Sequence, residues 1–176
     1  MNWTSLLKNE METAYTTTAR LLDKVKPASL NWKPATGDNW MTVGQLIKHI
    51  TTACGAGCQG FVTGDWGLPP GVKWEDLPAE EMLPPAEKLP AIDSLEGAKT
   101  LLCQDQRLAL RMVDQAGEDA LTNCKMPTPW APGAEHELGW HLLQMVQHLE
   151  RHKDQLFYYL KLQGVSVTTI DLWGGS

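Results

Sequence analysis

The sequence has little of what nucleic-acid-binding, membrane or secreted proteins require. It carries 15 Lys and Arg against 21 Asp and Glu, a net charge of −6, and no basic stripe. We therefore expect no nucleic-acid partner. No apolar run approaches the roughly 18 residues of a membrane span, and the N-terminal segment has no apolar core typical of a signal peptide. These absences predict a cytoplasmic protein with no membrane partner.

Short motifs that would indicate common chemistries are also missing. Only four cysteines are present, at positions 54, 58, 103 and 124, which is too few for a disulfide scaffold in 176 residues. No pair of them has the CxxC spacing of a zinc ribbon. The sequence contains no GxSxG, GxGxxG or Walker motif, so a nucleophilic serine and a nucleotide-binding fold have no support.

The sequence contains enough apolar residues to form the core of one globular domain. Hydrophobic residues make up 43% and charged residues 20%. A chain of this length can build a hydrophobic core without disulfide bonds or structural metal ions. Four amphipathic segments predict long helices, over about 3–26, 42–61, 94–117 and 135–163. We expect an all-α four-helix bundle. It is one domain over 1–164, followed by an extended tail over 165–176.

Helix ends and connections follow from capping and proline patterns. Thr42 and Gln45 form a capping-box pattern, and Ser94 and Gly164 are typical of a helix start and a helix end. Six prolines between Thr63 and 93 exclude a long helix there. A connection of that length is expected to be functional or to carry a short helix, and it permits parallel helices on either side. Residues 118–134 read as a second connection, and no segment predicts a strand.

Three histidines are the best candidates for a functional site. His148 and His152 are spaced i, i+4 on the fourth helix, so both rings can meet one ion. They lie on one flank of the apolar stripe of that helix, and His49 lies on the flank of the stripe of the second helix. Three imidazoles at the borders of two core stripes can converge in a bundle. Spacing alone leaves open the alternative that they are half-buried border residues bonded to water or backbone.

The remaining histidines and the cysteines are weaker candidates. His141 lies about 10 Å along the helix from His148, too far to share an ion, and is expected at a pocket or core edge. His136 is expected to face solvent. Cys54 and Cys58 are also i, i+4, but Cys54 is rotated about 140° from His49 on a helix. We therefore expect both to be small buried thiols that bind no metal.

Two stretches of the sequence resemble a known family. They are LNWKPATGDNWMTVGQLIKHI, which contains the spacing from Trp40 to His49, and LLQMVQHLERHKDQLFYYLKLQG, which contains the HxxxH pair. With the helical N-terminus, this order resembles the DinB/YfiT-like family over roughly residues 1–164. The resemblance implies a four-helix bundle in up-down-down-up order, with the long connection between helices 2 and 3. It also implies a divalent metal ion held by His49, His148 and His152.

The resemblance also implies a class of function. Characterised relatives include thiol S-transferases and thiol-dependent isomerases, which predicts a metal-dependent enzyme, a thiol-dependent transferase or hydrolase. Its partners would be a small-molecule substrate such as a low-molecular-weight thiol, and a second copy of the chain in a homodimer. Imidazole ligands suit several divalent ions, so zinc, nickel, iron and manganese stay open, and zinc or nickel is the expected ion. No general base can be assigned from the sequence. The alternative is a non-catalytic helical bundle that binds a metal or a small ligand.

Overall fold

Helices make up most of the protein, as the sequence predicts. The structure is a computed structural model that describes residues 2–72, 76–82 and 84–174. The three longest helices are α1 (Trp3–Leu22), α5 (Leu95–Asn123) and α6 (Leu138–Leu162). The shorter elements are α2 (Val43–Ile50), α3 (Gly55–Thr63), α4 (Ala79–Met82), β1 (Lys125–Thr128), β2 (Ala131–Glu137) and α7 (Thr169–Trp173).

The core lies between the long helices. α1 packs against α5 and α6, α3 packs against the same two helices, and α2 packs against α6. Their apolar faces supply fully buried side chains, among them Leu7, Met11, Leu46, Ile47, Leu142, Leu149 and Leu156. Each such side chain contributes roughly 1.5–3 kcal/mol on burial, so the fold has a source of stability that needs no ion. No helix in the described part of the chain is long and apolar enough to cross a membrane.

The predicted second helix is two helices, which corrects the expected span of 42–61. Its start is as predicted: the Thr42 hydroxyl accepts from the Gln45 N–H at 3.2 Å, and the Gln45 side chain accepts from the Thr42 N–H at 2.8 Å. The helix then stops at Ile50, and a new helix begins at Gly55. The break redirects the chain immediately after His49.

Asp105 on α5 accounts for this break. Its buried carboxylate accepts from the backbone N–H groups of Gly55 at 3.0 Å and Ala56 at 3.1 Å, which are the orphan donors at the start of α3. It also accepts from the Tyr15 hydroxyl at 2.6 Å. A Cβ atom at Gly55 would lie 2.3 Å from the Asp105 carbonyl oxygen. Gly55 is therefore required for α3 to approach α5 this closely.

The expectation of a loop over 118–134 and of no strand is wrong. α5 is interrupted at Gly117, which has a φ of 70°, but it continues to Asn123. An antiparallel β1–β2 hairpin follows, pairing Lys125 with Glu137 and Met126 with His136. Prolines within both strands conceal the strand pattern in the sequence. α6 therefore begins at Leu138, three residues later than expected.

Two further segments carry more regular structure than the sequence shows. The proline-rich 63–93 stretch contains α4 and a 3-10 turn at Ala86–Lys88, and residues 73–75 and 83 of this stretch lie outside the described residues. It packs beside α2, where the Gln45 amide donates to the Leu89 carbonyl at 2.8 Å. The tail is not extended: it forms α7, and the buried Lys153 ammonium donates to the Leu172 carbonyl at 2.9 Å.

Candidate metal centre

The structure brings His49, His148 and His152 together. His49 lies in the last turn of α2, and the other two lie on successive turns of α6. One ring nitrogen from each lies within 4.8 Å of the others. The Nε2 atoms of His49 and His148 are 3.0 Å apart, and the ring centroids of His49 and His152 are 4.4 Å apart.

These separations fit a single divalent ion. Two nitrogens that each bind one zinc ion at about 2.1 Å with tetrahedral geometry lie roughly 3.4 Å apart. The observed range, from 3.0 Å to at most 4.8 Å, brackets that value. No other group of three or more candidate ligand residues lies this close together among the described residues. The three histidines could therefore hold a metal ion.

Gln155 orients one of the three rings. Its side-chain oxygen lies 3.1 Å from Nδ1 of His152, so the amide accepts the Nδ1–H and leaves the Nε2 lone pair to bind an ion. The Gln155 amide nitrogen donates to the Tyr159 hydroxyl at 3.1 Å, and that hydroxyl donates to the Met41 carbonyl at 3.0 Å. This chain of hydrogen bonds fixes the amide. Gln155 was not predicted from the sequence, where its i+3 position after His152 was the available signal.

Burial keeps the three imidazoles neutral at pH 7. It is the largest cause that lowers the pKa of His49 and of His148 to about 4, with the neighbouring His152 adding to it. The pKa of His152 is also lowered, mainly by burial, against an opposing effect of its hydrogen bond to Gln155. Neutral imidazole is the form that binds metal ions, so no proton has to leave before an ion binds at pH 7.

Acidification is expected to destabilise the metal-free protein between about pH 6.5 and pH 4. The folded protein holds the pKa of His49 and His148 at about 4, against the usual 6.5. In this window the unfolded chain binds more protons than the folded one, so the free energy of unfolding falls as the pH drops and levels off below 4. The loss is on the order of a few kcal/mol. Urea unfolding across this range measures it.

The matched control for the pH series is the His49→Gln variant, which lacks one of the titrating groups. Its free energy of unfolding should fall less steeply with acidification than that of the wild type. Parallel curves for the two proteins would contradict the lowered pKa of His49.

The three histidines open onto a cavity of about 730 Å³. Much of its lining comes from one face of α6, from Trp140 to His152, with further side chains from α2, α3, the following loop and the hairpin. His141 lies in this lining, as expected of a pocket residue: it is 1% exposed, and its Nε2 is 2.9 Å from the Met126 carbonyl. His136 was expected to face solvent; it is half-buried and stacks on Trp140 with ring centroids 3.9 Å apart.

An aromatic cluster in the cavity was not predicted from the sequence. The Phe61 ring lies 4.9 Å from Trp66, 5.7 Å from Trp130 and 4.3 Å from His141, centroid to centroid. These rings come from α3, the loop after it, the hairpin turn and α6. No periodic pattern links residues so far apart in sequence, and only the fold brings them together. Arg151, which also lines the cavity, was missed although it stands between the two histidines of α6.

The cysteines do not join the histidine cluster. All four are free thiols; Cys54 and Cys58 are buried with their sulfurs 4.0 Å apart, while Cys103 and Cys124 are exposed. The hydrogen bond with Cys54, together with burial, raises the pKa of the Cys58 thiol. A protonated buried thiol is a poor metal ligand, which agrees with the expectation of small core residues.

Comparison with known proteins places the chain in a family. The family model described as the DinB superfamily matches residues 10–156, which include all three histidines. The chain belongs to the DinB superfamily. Its structure is similar to the crystal structure of a DinB-like protein, YjoA, from Bacillus subtilis, with a TM-score of 0.63 and 17% identity over 92% of this chain and 94% of that one. No curated protein matches the sequence.

Replacing the amide that orients His152 is expected to weaken metal binding in this DinB-superfamily protein. Gln155→Leu keeps the side-chain size but removes the acceptor for the His152 Nδ1–H. Such outer partners of a metal ligand are typically worth about 10–100-fold in affinity. Competition with a chromogenic chelator measures the change. Gln104→Leu, at an exposed position on α5, is the control, and equal affinities for the two variants would contradict the role given to Gln155.

Proposed function

We propose that the protein is a divalent-metal-dependent enzyme that acts on a low-molecular-weight thiol, most simply as a thiol transferase. The observation that carries the proposal is the cluster of three neutral imidazoles on the wall of a cavity large enough for a small molecule. We propose zinc or nickel as the ion, since imidazole ligands suit both. A bound divalent ion would act as a Lewis acid and lower the pKa of a thiol or water that it binds.

The other cavity residues favour a thiol over water as the nucleophile. Among the described residues that line the cavity there is no Asp or Glu, so no carboxylate is placed to act as a general base. An ordinary thiol has a pKa near 8.5 and needs little help to ionise at pH 7, whereas water needs far more. A transferase is therefore favoured over a hydrolase. The apolar side chains of the cavity, such as Met145 and Phe61, exclude water from the substrate.

We also propose a helix order and a cellular location for the protein. The four helical regions of the bundle would run up-down-down-up, and the long 63–93 connection has the length to join two parallel helices. We place the protein in the cytoplasm, where free thiols stay reduced.

We further propose that the protein is a homodimer. A homodimer would cover Tyr158 and Leu162, which are 59% and 67% exposed late in α6. Light scattering that gives the mass of one 19.5 kDa chain at micromolar concentration would contradict the dimer.

A conversion screen tests the enzymatic proposal. The protein is loaded with zinc or nickel and incubated with small thiols and an electrophilic acceptor such as 1-chloro-2,4-dinitrobenzene. We expect conjugate to form with the metal-loaded protein, and neither after chelation nor with His148→Ala. Hydrolysis of thioesters is followed in parallel. Metal binding without turnover of any acceptor would contradict the enzyme and favour the non-catalytic metal-binding bundle.

A further inference from the structure

Arg151 gives the cavity a positive charge next to the histidines. It stands one residue before His152 and three after His148, and it lines the same cavity. Arg151 forms no ion pair with any residue in the part of the chain that the structure describes. Its guanidinium therefore remains available to a ligand.

The charge of the cavity favours anions. No carboxylate stands among the described lining residues, and Arg151 is the one permanently charged side chain there. The Arg151 guanidinium therefore gives the metal-free cavity a positive charge, and a bound divalent ion would add to it. A cationic ligand is disfavoured in both states, whereas a carboxylate or phosphate can accept two parallel hydrogen bonds from a guanidinium.

Aromatic rings supply the other recognition element. We call Phe61, Trp66 and Trp130 the aromatic wall; its members meet pairwise at angles of 69–87° with ring centroids 4.9–6.0 Å apart. Edge-to-face arrays of this kind contact a flat ring better than a flexible chain, which loses more conformational freedom on binding. The wall also contacts the His141 ring through Phe61.

The α6 helix sets the spacing between the two elements. His141 and Arg151 are ten residues apart, which is about 15 Å along the axis. Because helical side chains lean towards the helix N-terminus and arginine is long, the Arg151 guanidinium can approach the aromatic wall more closely than its Cα does. Both elements line one cavity, so a planar ligand that carries an oxyanion can contact both. The cavity volume of about 730 Å³ is sufficient for it.

We propose that the cavity binds a planar aromatic oxyanion, with a carboxylate or phosphate on the Arg151 guanidinium and the ring against the aromatic wall. This inference rests on the proposed function and names the class of ligand that the same site takes: an aromatic ring that carries a carboxylate or a phosphate. Arg151 is then a specificity-determining residue rather than a metal ligand.

Calorimetric titration with naphthalene probes tests the proposal. The full chain is titrated with 2-naphthoate, 2-naphthyl phosphate, the neutral 2-naphthamide and the cation 2-naphthyltrimethylammonium, both metal-loaded and after chelation. We expect at least one of the two anions to bind about tenfold or more tightly than the amide in the metal-free protein. The tighter anion identifies the oxyanion. Equal binding of amide and anions, tighter binding of the cation, or no binding of any probe at millimolar concentration would overturn the proposal.

Variants assign the preference to the named residues. Arg151→Gln should abolish the preference for the anion and leave amide binding unchanged, whereas Arg111→Gln, which removes the same charge at an exposed position on α5, should change neither. Trp130→Leu should weaken naphthoate binding severalfold more than octanoate binding. An anion preference that survives Arg151→Gln would overturn the assignment. Because the metal-free protein is used, this result is independent of metal content and of thiol transfer.

Discussion

Replacing His49, His148 or His152 by alanine is expected to lower metal affinity by at least about 100-fold. Each change removes one of three nitrogens that lie within 4.8 Å of one another. Even the loss of an outer partner of a metal ligand costs roughly 10–100-fold, and the loss of a ligand itself costs more. The metal content of each purified variant, measured by mass spectrometry, shows the effect directly.

The controls for this series are histidine and cysteine changes outside the cluster. His136→Ala, on β2, should retain the wild-type metal content. So should the Cys54→Ala and Cys58→Ala double variant, because neither thiol belongs to the cluster. Circular dichroism should show that every variant folds, since the buried core does not depend on the ion. Unchanged metal content in all three cluster variants would contradict the site assignment.

Asp105→Ala is expected to destabilise the protein by about 2–4 kcal/mol, since each buried donor left without a partner costs roughly 1–3 kcal/mol. The Asp105 carboxylate accepts from two N–H groups of α3 and from the Tyr15 hydroxyl. Alanine would leave these donors buried without a partner. Burial raises the pKa of Asp105, while its hydrogen bonds lower it, so the donors partly offset the cost of burying the charge. Urea unfolding at neutral pH measures the change.

Asp114→Ala provides the matched control on the same helix. Asp114 pairs with Lys8, but its side chain is 63% exposed, and exposed ion pairs are worth roughly 0–1 kcal/mol. Asp114→Ala should therefore shift the unfolding midpoint little. Similar losses in the two variants would show that Asp105 does not cap α3.

The helices could be predicted because short-range sequence patterns, such as capping residues and apolar periodicity, determine them. The Thr42 capping box and Ser94 mark helix starts that the structure confirms. The break before Gly55 could not be predicted, because the residue that causes it, Asp105, is 50 positions away along the chain. The β1–β2 hairpin was missed for the opposite reason. The prolines in both strands argued against strand structure, but each strand pairs with only one neighbour, and an edge strand tolerates proline.

The candidate site was predictable only in part. The i, i+4 spacing places His148 and His152 side by side on any helix, and the flank positions bring His49 towards them. The side chains that shape the cavity have no such pattern. Phe61 and Trp130 meet only because α3 and the hairpin fold towards each other, and tertiary proximity of this kind leaves no periodic trace in one sequence.

The most direct test of a three-histidine metal centre is anomalous X-ray diffraction from crystals grown with zinc, recorded on both sides of the zinc absorption edge. We expect one strong anomalous peak between α2 and α6, about 2.0–2.1 Å from a ring nitrogen of each of His49, His148 and His152. A structure with no peak at this position, or with its only strong peak on the cysteines or on His136, would contradict the account.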